Sequence, residues 1–312
     1  VGGSDAVAIP LLPTHDIDHA LAAMAQMRTH PRFDADIPGE FRFRPTTDFH
    51  GTKDRPLMIL EDQPPKDAWP VYGGKSFDIW DCDTGTYFAH IDPVVAQTEL
   101  NRKRAKPNKR SAFYEMSEEW KKNPSELPCL NPRIAFRDVT NRTNRRTTIA
   151  ALLPPNRAIV NAAPYLIRIR GDESDDAFLL AVMGSIPFDW FSRRYVELHL
   201  NYFVLNPLPV PRPEQNAPLR LRAVQLAGRL TAHDDRLSSW ATAVGVECGE
   251  LSDDNKRDLV LELDAVAAHL FGLSERQLES IYRTFHHDGT VEGEPWQERF
   301  DAVIKHYRRW SE

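Results

Sequence analysis

No stretch of this 312-residue chain approaches the roughly 20 consecutive apolar residues that span a bilayer, and the first residues carry neither a basic segment nor a hydrophobic signal core. Neither a membrane span nor a secretory leader is expected, and the location expected is cytoplasmic. Cysteine is scarce: Cys82, Cys129 and Cys248 stand too far apart for the CxxC pairing of a zinc or redox site, which leaves reduced structural thiols. Excess positive charge is missing as well. A net charge of -6 and a pI near 6.0 argue against a protein that coats nucleic acid non-specifically. There is no GxSxG elbow, no P-loop, no internal repeat and no low-complexity tract. With Val1 rather than methionine at its start, the sequence reads as a piece of something longer.

What is present is patterned. Ile17, Leu21, Met24 and Met27 recur at helical spacing behind Pro13 and Thr14, which predicts an amphipathic helix over residues 14–27. Short strands are expected at 40–44, 76–80 and 86–91, and stronger ones at 133–139, 147–153 and 165–170. In the last of these, Leu166, Arg168 and Arg170 alternate with Tyr165, Ile167 and Ile169, so one face should be buried and the other wet. Residues 175–196 read as a helix pair broken near Pro187, followed by an extended apolar segment at 201–208. The proline-rich run 207–213 is the best domain boundary.

Beyond Pro218 the pattern becomes wholly helical, with a long helix through Leu219, Leu221, Val224, Leu226, Leu230 and Leu237 and others at 253–271, 275–285 and 295–310. Gly272 is a plausible cap, and Ser274 with Gln277 matches a capping box. The expected fold class is α+β: a linker helix at 1–29, a mixed-sheet domain at 30–212 and an all-helical domain at 213–312.

Candidate chemistry is thin. His15 and His19 have the i, i+4 spacing of a zinc pair, but no third ligand is evident and Asp16 and Asp18 suit a helix start. His286, His287 and Asp288 follow an expected helix end, where cationic side chains are favoured. Asp81, Cys82 and Asp83 have the composition of a polar turn. No carboxylate pair followed by a lysine two residues on, the pattern of a magnesium nuclease, stands out.

Basic residues are concentrated in two places. Arg102, Lys103, Arg104, Lys106, Lys109 and Arg110 put six positive charges within nine residues, and the absence of apolar periodicity with Pro107 and Asn108 suggests an exposed loop. Arg137, Asn141, Arg142, Asn144, Arg145 and Arg146 lie between two strong strands. Arginine and asparagine are shaped to contact guanine and adenine edges bidentately, although a polar hairpin tip has the same composition.

A resemblance bears on that choice. Residues 70–76, PVYGGKS; RIAFRDV at 133–139 with Arg145, Arg146, Thr147 and LLPP at 152–155; LLAVMGSIPFDWFSR at 179–193; LNYFVLNPLP at 200–209; and LDAVAAHLFGLSERQLESIYRTF at 263–285 occur in order. Together they resemble the target-recognition region of type IIG restriction-modification enzymes and related phage-defence N6-adenine methyltransferases. Gly73 stands where that family often has an acidic residue, and Gly184 where asparagine is common. The resemblance implies a module that binds double-stranded DNA beside a catalytic methyltransferase domain or subunit. S-adenosylmethionine is then expected in the parent enzyme and not in this stretch. Asn131, Pro132 and Arg133 fail the Asn-Pro-Pro-Tyr motif, and Gly2 and Gly3 precede no βαβ pattern.

On this reading the stretch is not itself an enzyme, has no metal site and makes no membrane contact. Arg102, Lys103, Arg104, Lys106, Lys109 and Arg110 are the expected phosphate contacts, with Lys75, Arg142, Arg145 and Arg146 nearer the groove and Arg137, Asn141 and Asn144 beside them. The alternatives are a stand-alone metal-dependent nuclease using His15, His19 or Asp81, and a protein-binding specificity subunit.

Overall fold

The structure, a computed structural model, describes residues 10–105, 107, 109 and 111–311. It is an α+β fold arranged in layers. The central layer is a four-stranded sheet formed by β1 (Arg42–Thr46), β4 (Arg133–Phe136), β5 (Ala150–Leu153) and β7 (Tyr165–Arg170), in the order β1-β7-β4-β5 with every pair antiparallel. Period-two alternation divides its side chains. Ile134, Phe136, Ala150, Leu152 and Leu166 face the helices, whereas Ala135, Ala151, Leu153, Tyr165 and Ile167 face a second sheet. The wet face expected at residues 165–170 is therefore absent from its first half, because both sides are covered. Even the distal cations have partners: Arg168 bonds Asp176 and Glu173, and Arg170 bonds Asp36.

The second sheet has three strands, β2 (Trp69–Tyr72), β3 (Ala89–Ile91) and β6 (Ala158–Ile159), in the order β3-β2-β6. Its outer face holds Val71, Ala89, Ile91 and Ala158 against Ala96 and Leu100 of helix α2 (Pro93–Ala105), which the short α3 (Glu118–Lys122) follows. That helix corrects the loop expected at 102–110, since Arg102, Lys103 and Arg104 form its last turn. Residues 76–80, expected as a strand, instead form a turn closed by the Asp78–Asp81 pair. A buried ion pair joins the two sheets: Arg133 donates from both terminal nitrogens to Asp48 at 3.1 and 2.7 Å, and Asp48 also accepts from the Ile159 amide.

On the other side of the central sheet lies helix α4 (Glu173–Gly184), buried from Asp175 onward. Asp172 and Asp175 form a capping box at its start. Ser185 ends it and caps α5 (Ile186–Ser192), with Pro187 in the first turn, where its missing N–H costs nothing. The segment expected to be extended at 201–208 contains a short helix, α6 (Tyr202–Leu205), started by the Asn201 side chain.

Helices α7 (Pro218–Thr231), α8 (Ser238–Val244), α9 (Asp253–Leu270), α10 (Glu275–Arg283) and α11 (Trp296–Arg309) complete the chain. The long helix expected through Leu237 ends at Thr231, and Asp234 caps a new turn through the Arg236 amide. Gly272 takes φ +68 after α9, and Ser274 with Gln277 forms the capping box of α10. One apolar core links α1 (Ile17–Met27), α4, α5 and these later helices.

The C-terminal region is not wholly helical. A hairpin, β8 (Thr290–Val291) and β9 (Glu294–Pro295), turns through Glu292 and Gly293 at φ +56 and +83, the left-handed pair that a two-residue hairpin of this hand requires. No helix among the described residues is long and apolar enough to cross a membrane.

Candidate nucleic-acid interface

The connection between β4 and β5, residues 137–149, carries the denser polar cluster and is held at many points. At its base, Arg137 donates its amide to the Ile149 carbonyl and Nη2 to the Phe77 carbonyl, each at 2.9 Å. Thr140 Oγ1 closes the neck by donating to the Thr147 carbonyl at 2.9 Å. At the tip, Asn141 Oδ1 accepts from the amides of Thr143 and Asn144, and Asn144 Nδ2 donates to Thr140 Oγ1. Side-chain to backbone bonds of this kind fix the shape of a turn, and Val139 adds an antiparallel bridge to His199.

The loop is fastened to the helices by Asp189 of α5. Its Oδ2 accepts from the Thr147 and Thr148 amides at 2.9 and 3.1 Å, while Oδ1 accepts from Arg193 Nε and Nη2 at 2.9 and 2.7 Å. Arg146 lies behind it, 1 % exposed, donating to Glu292 at 2.5 Å and to the Gly184 carbonyl at 2.8 Å. Burial works against charge on Glu292, but Arg146, Arg299 and Arg145 outweigh it and hold that carboxyl at about 2. Asp264 completes the junction, accepting from the Ile186 amide and the Tyr282 hydroxyl.

The expected contact residues divide accordingly. Arg142 and Arg145 stand exposed on the loop with no carboxylate of the described residues within ion-pair distance, as do Lys75 and Lys109. Arg102 is exposed but paired bidentately with Glu99, and Lys103 is half-buried against Asp54, the Asp48 carbonyl and the Phe49 ring. Arg137 is half-buried, and its Nε has no partner. Asn141 and Asn144 shape the turn.

Arg104 and Arg146 must be withdrawn from the surface. Arg104 is buried, bonded to Asn101 and to the carbonyls of Trp120 and Asn123, and Arg146 belongs to the junction just described. Lys106 and Arg110 lie outside the described residues. Of the other candidates, His15 precedes α1 and so does not share a helix face with His19, whose Nδ1 bonds Asp16 at 2.8 Å. Asp83 is occupied by Tyr87 and Arg236. Among the described residues, no group of three or more His, Cys, Asp or Glu could hold a metal ion.

Asp189, Arg193, Arg194 and Glu292 were missed. The available signal was two adjacent arginines closing the apolar run LLAVMGSIPFDWFS, since cations on a helix with no wet face need internal partners.

No family model matches the chain, and no curated protein does. Among solved structures, it is similar to the type IIG restriction endonuclease BpuSI, with 11% identity and a TM-score of 0.41, over 83% of this chain and 34% of that one. It is also similar to the type IIL restriction-modification enzyme MmeI in complex with DNA, with 11% identity and a TM-score of 0.36, over 89% of this chain and 36% of that one. The chain thus spans about a third of the length of either solved protein.

Proposed function

We propose that this chain is the duplex-DNA recognition part of an adenine-specific restriction-modification enzyme or phage-defence methyltransferase. The observation that carries the reading is the loop 137–149. It is held by hydrogen bonds at tip and base, and it presents Arg142 and Arg145 to solvent with no carboxylate of the described residues within ion-pair distance. Such side chains cost little to redirect onto phosphates or guanine edges, and a pre-ordered loop loses little entropy on binding. Lys75 extends the surface, because its turn packs on the loop base: a Cβ at Gly74 would sit 3.3 Å from Arg137 Cγ.

The methyl-transfer chemistry is assigned, in this reading, to a catalytic domain or subunit that would hold S-adenosylmethionine. The residues here that come nearest the adenine-holding motif are otherwise engaged, since Asn131 Nδ2 donates to the Leu127 carbonyl and Arg133 pairs with Asp48.

The test is a salt titration of duplex binding. Charge reversal at Arg142 and Arg145 together should flatten the slope of log K against log salt by about two, close to 0.9 per lost phosphate contact. Reversal at Arg102, already neutralised by Glu99, should change it less. An unchanged slope in the Arg142→Glu, Arg145→Glu protein refutes the assignment.

A further inference from the structure

A cavity of about 440 Å³ opens where the loop 137–149 meets the end of α10 and the segment 11–15. It is of the size of small-molecule sites and larger than a bare tetrahedral anion needs. Leu11, Leu12 and Phe285 give it an apolar wall, whereas Arg142, Arg193 and Arg194, with His15 and His287, make the rest basic.

These cations are not equally neutralised. Arg193 has Asp189, and it stacks 3.6 Å from the Phe285 ring centroid. Arg194 is only 8 % exposed, yet its partners are neutral: Nε donates to the Trp190 carbonyl at 3.2 Å and Nη2 to the Thr284 carbonyl at 2.8 Å. Among the described residues no carboxylate lies within ion-pair distance of it, and the Asp189 charge acts on it only from farther off. A buried guanidinium without a counter-ion is costly unless something else supplies the negative charge.

No neighbour supplies it in a direct pair. His286 is pushed below its ordinary pKa by burial and by Arg193, and neutral imidazole suits its bonds: Nδ1 accepts from Arg193 at 3.2 Å and Nε2 donates to the Arg145 carbonyl at 3.3 Å. Asp288 also lines the cavity, and the Thr290 amide and hydroxyl on its Oδ1 at 3.0 and 2.8 Å keep it ionised, but it forms no ion pair with Arg194. Burial first, and then the Arg193 charge, pull Arg194 down to about 9, which leaves it cationic at neutral pH.

We propose that this cavity binds a nucleotide through its phosphate, with Arg194 and Arg142 as the anion's partners and the apolar wall beside the rest of the ligand. The phosphate has two possible sources, a DNA strand or a free nucleotide. In the first case the proposal rests on the DNA-recognition reading, and in the second it stands without it.

The experiment uses the full chain and leaves Arg142 intact, so that the loop's own contribution to DNA binding is unchanged. AMP and inorganic phosphate are titrated calorimetrically, and a short mixed-sequence duplex by anisotropy, against wild type, Arg194→Met, Arg194→Lys and His287→Ala. If the source is a free nucleotide, AMP affinity falls about tenfold in Arg194→Met and is partly restored by Arg194→Lys, while duplex affinity holds. If the source is a strand, duplex affinity falls by a similar factor with the same rescue, and AMP competes. Should Arg194→Met fail to fold by circular dichroism, the contrast of wild type with Arg194→Lys and exposed His287→Ala carries the test. Equal affinities of every protein for all three probes overturn the proposal. Loss of AMP binding in the variants, with no duplex bound by any protein, overturns the DNA reading and leaves the cavity assignment standing.

Discussion

Replacing Asp189 by asparagine tests the junction most directly. The native carboxylate serves two parties at once, with one oxygen on the Thr147 and Thr148 amides and the other on Arg193. An amide has one acceptor, so its NH₂ must face either two donor amides or a guanidinium. Charge-assisted bonds contribute about 1.5–3 kcal/mol each, and opening a fully buried pair costs about 3–5 kcal/mol because the surviving charge is stranded. If the remaining oxygen keeps the threonine amides, roughly 1 kcal/mol is retained, giving an expected loss of about 3 kcal/mol. Asp189→Ala should lose more, about 5 kcal/mol. Urea denaturation should show a lower midpoint at an unchanged slope, and a double-mutant cycle with Arg193→Met should give a coupling of about 2 kcal/mol or more. Hydrogen exchange supplies a local readout, with the Thr147 and Thr148 amides losing protection if the oxygen turns to Arg193. A loss below about 1 kcal/mol with both amides still protected would show that Asp189 does not hold the loop.

Three further outcomes are expected. Glu292 has a folded pKa of about 2 against an ordinary 4.5, so the stability it contributes is complete above about 4.5 and disappears as pH falls toward about 2. Glu292→Gln should remove about 3 kcal/mol at neutral pH and weaken the acid dependence in that window, as measured by denaturation at several pH values. A Cβ at Gly184 would lie 2.8 Å from Trp80 Cη2, so Gly184→Ala should cost about 1–3 kcal/mol, and Trp80→Leu should rescue it in a thermal melt. Arg104→Met should leave the salt slope of DNA binding untouched, because that guanidinium bonds carbonyls inside the fold, and a flattened slope would return Arg104 to the surface.

Patterns that act locally were legible in the sequence. The β7 strand falls at the expected residues, the capping box of α10 forms as its spacing requires, and the helix pair breaks beside Pro187. Long-range features were not. The last turn of α2 was hidden because Ala96 and Leu100 are the only apolar anchors under a charged surface. In the sequence Arg104 and Arg146 look solvent-facing, because nothing adjacent reveals their partners. Arg104 needs a carbonyl from 19 positions on, and Arg146 needs a carboxylate 146 positions on. The segments that carried the family resemblance supply Arg146, Thr147, Asp189, Arg193 and Asp264, which meet at the junction beneath the loop. They report how the loop is mounted more than what it touches. Gly184, where asparagine is common in that family, has a local reason in the Trp80 ring lying across it.

The left-handed turn at Glu292 bears on any attempt to divide the chain. Asparagine or glycine would take φ +56 with less strain, yet a carboxylate stands there and reaches back to Arg146. A graft of residues 30–212 into another host would carry the arginine without its closest counter-ion, leaving it only Asp189 at 3.9 Å under the very loop being transplanted. The transferable unit includes the far hairpin, and a chimera should be cut after it.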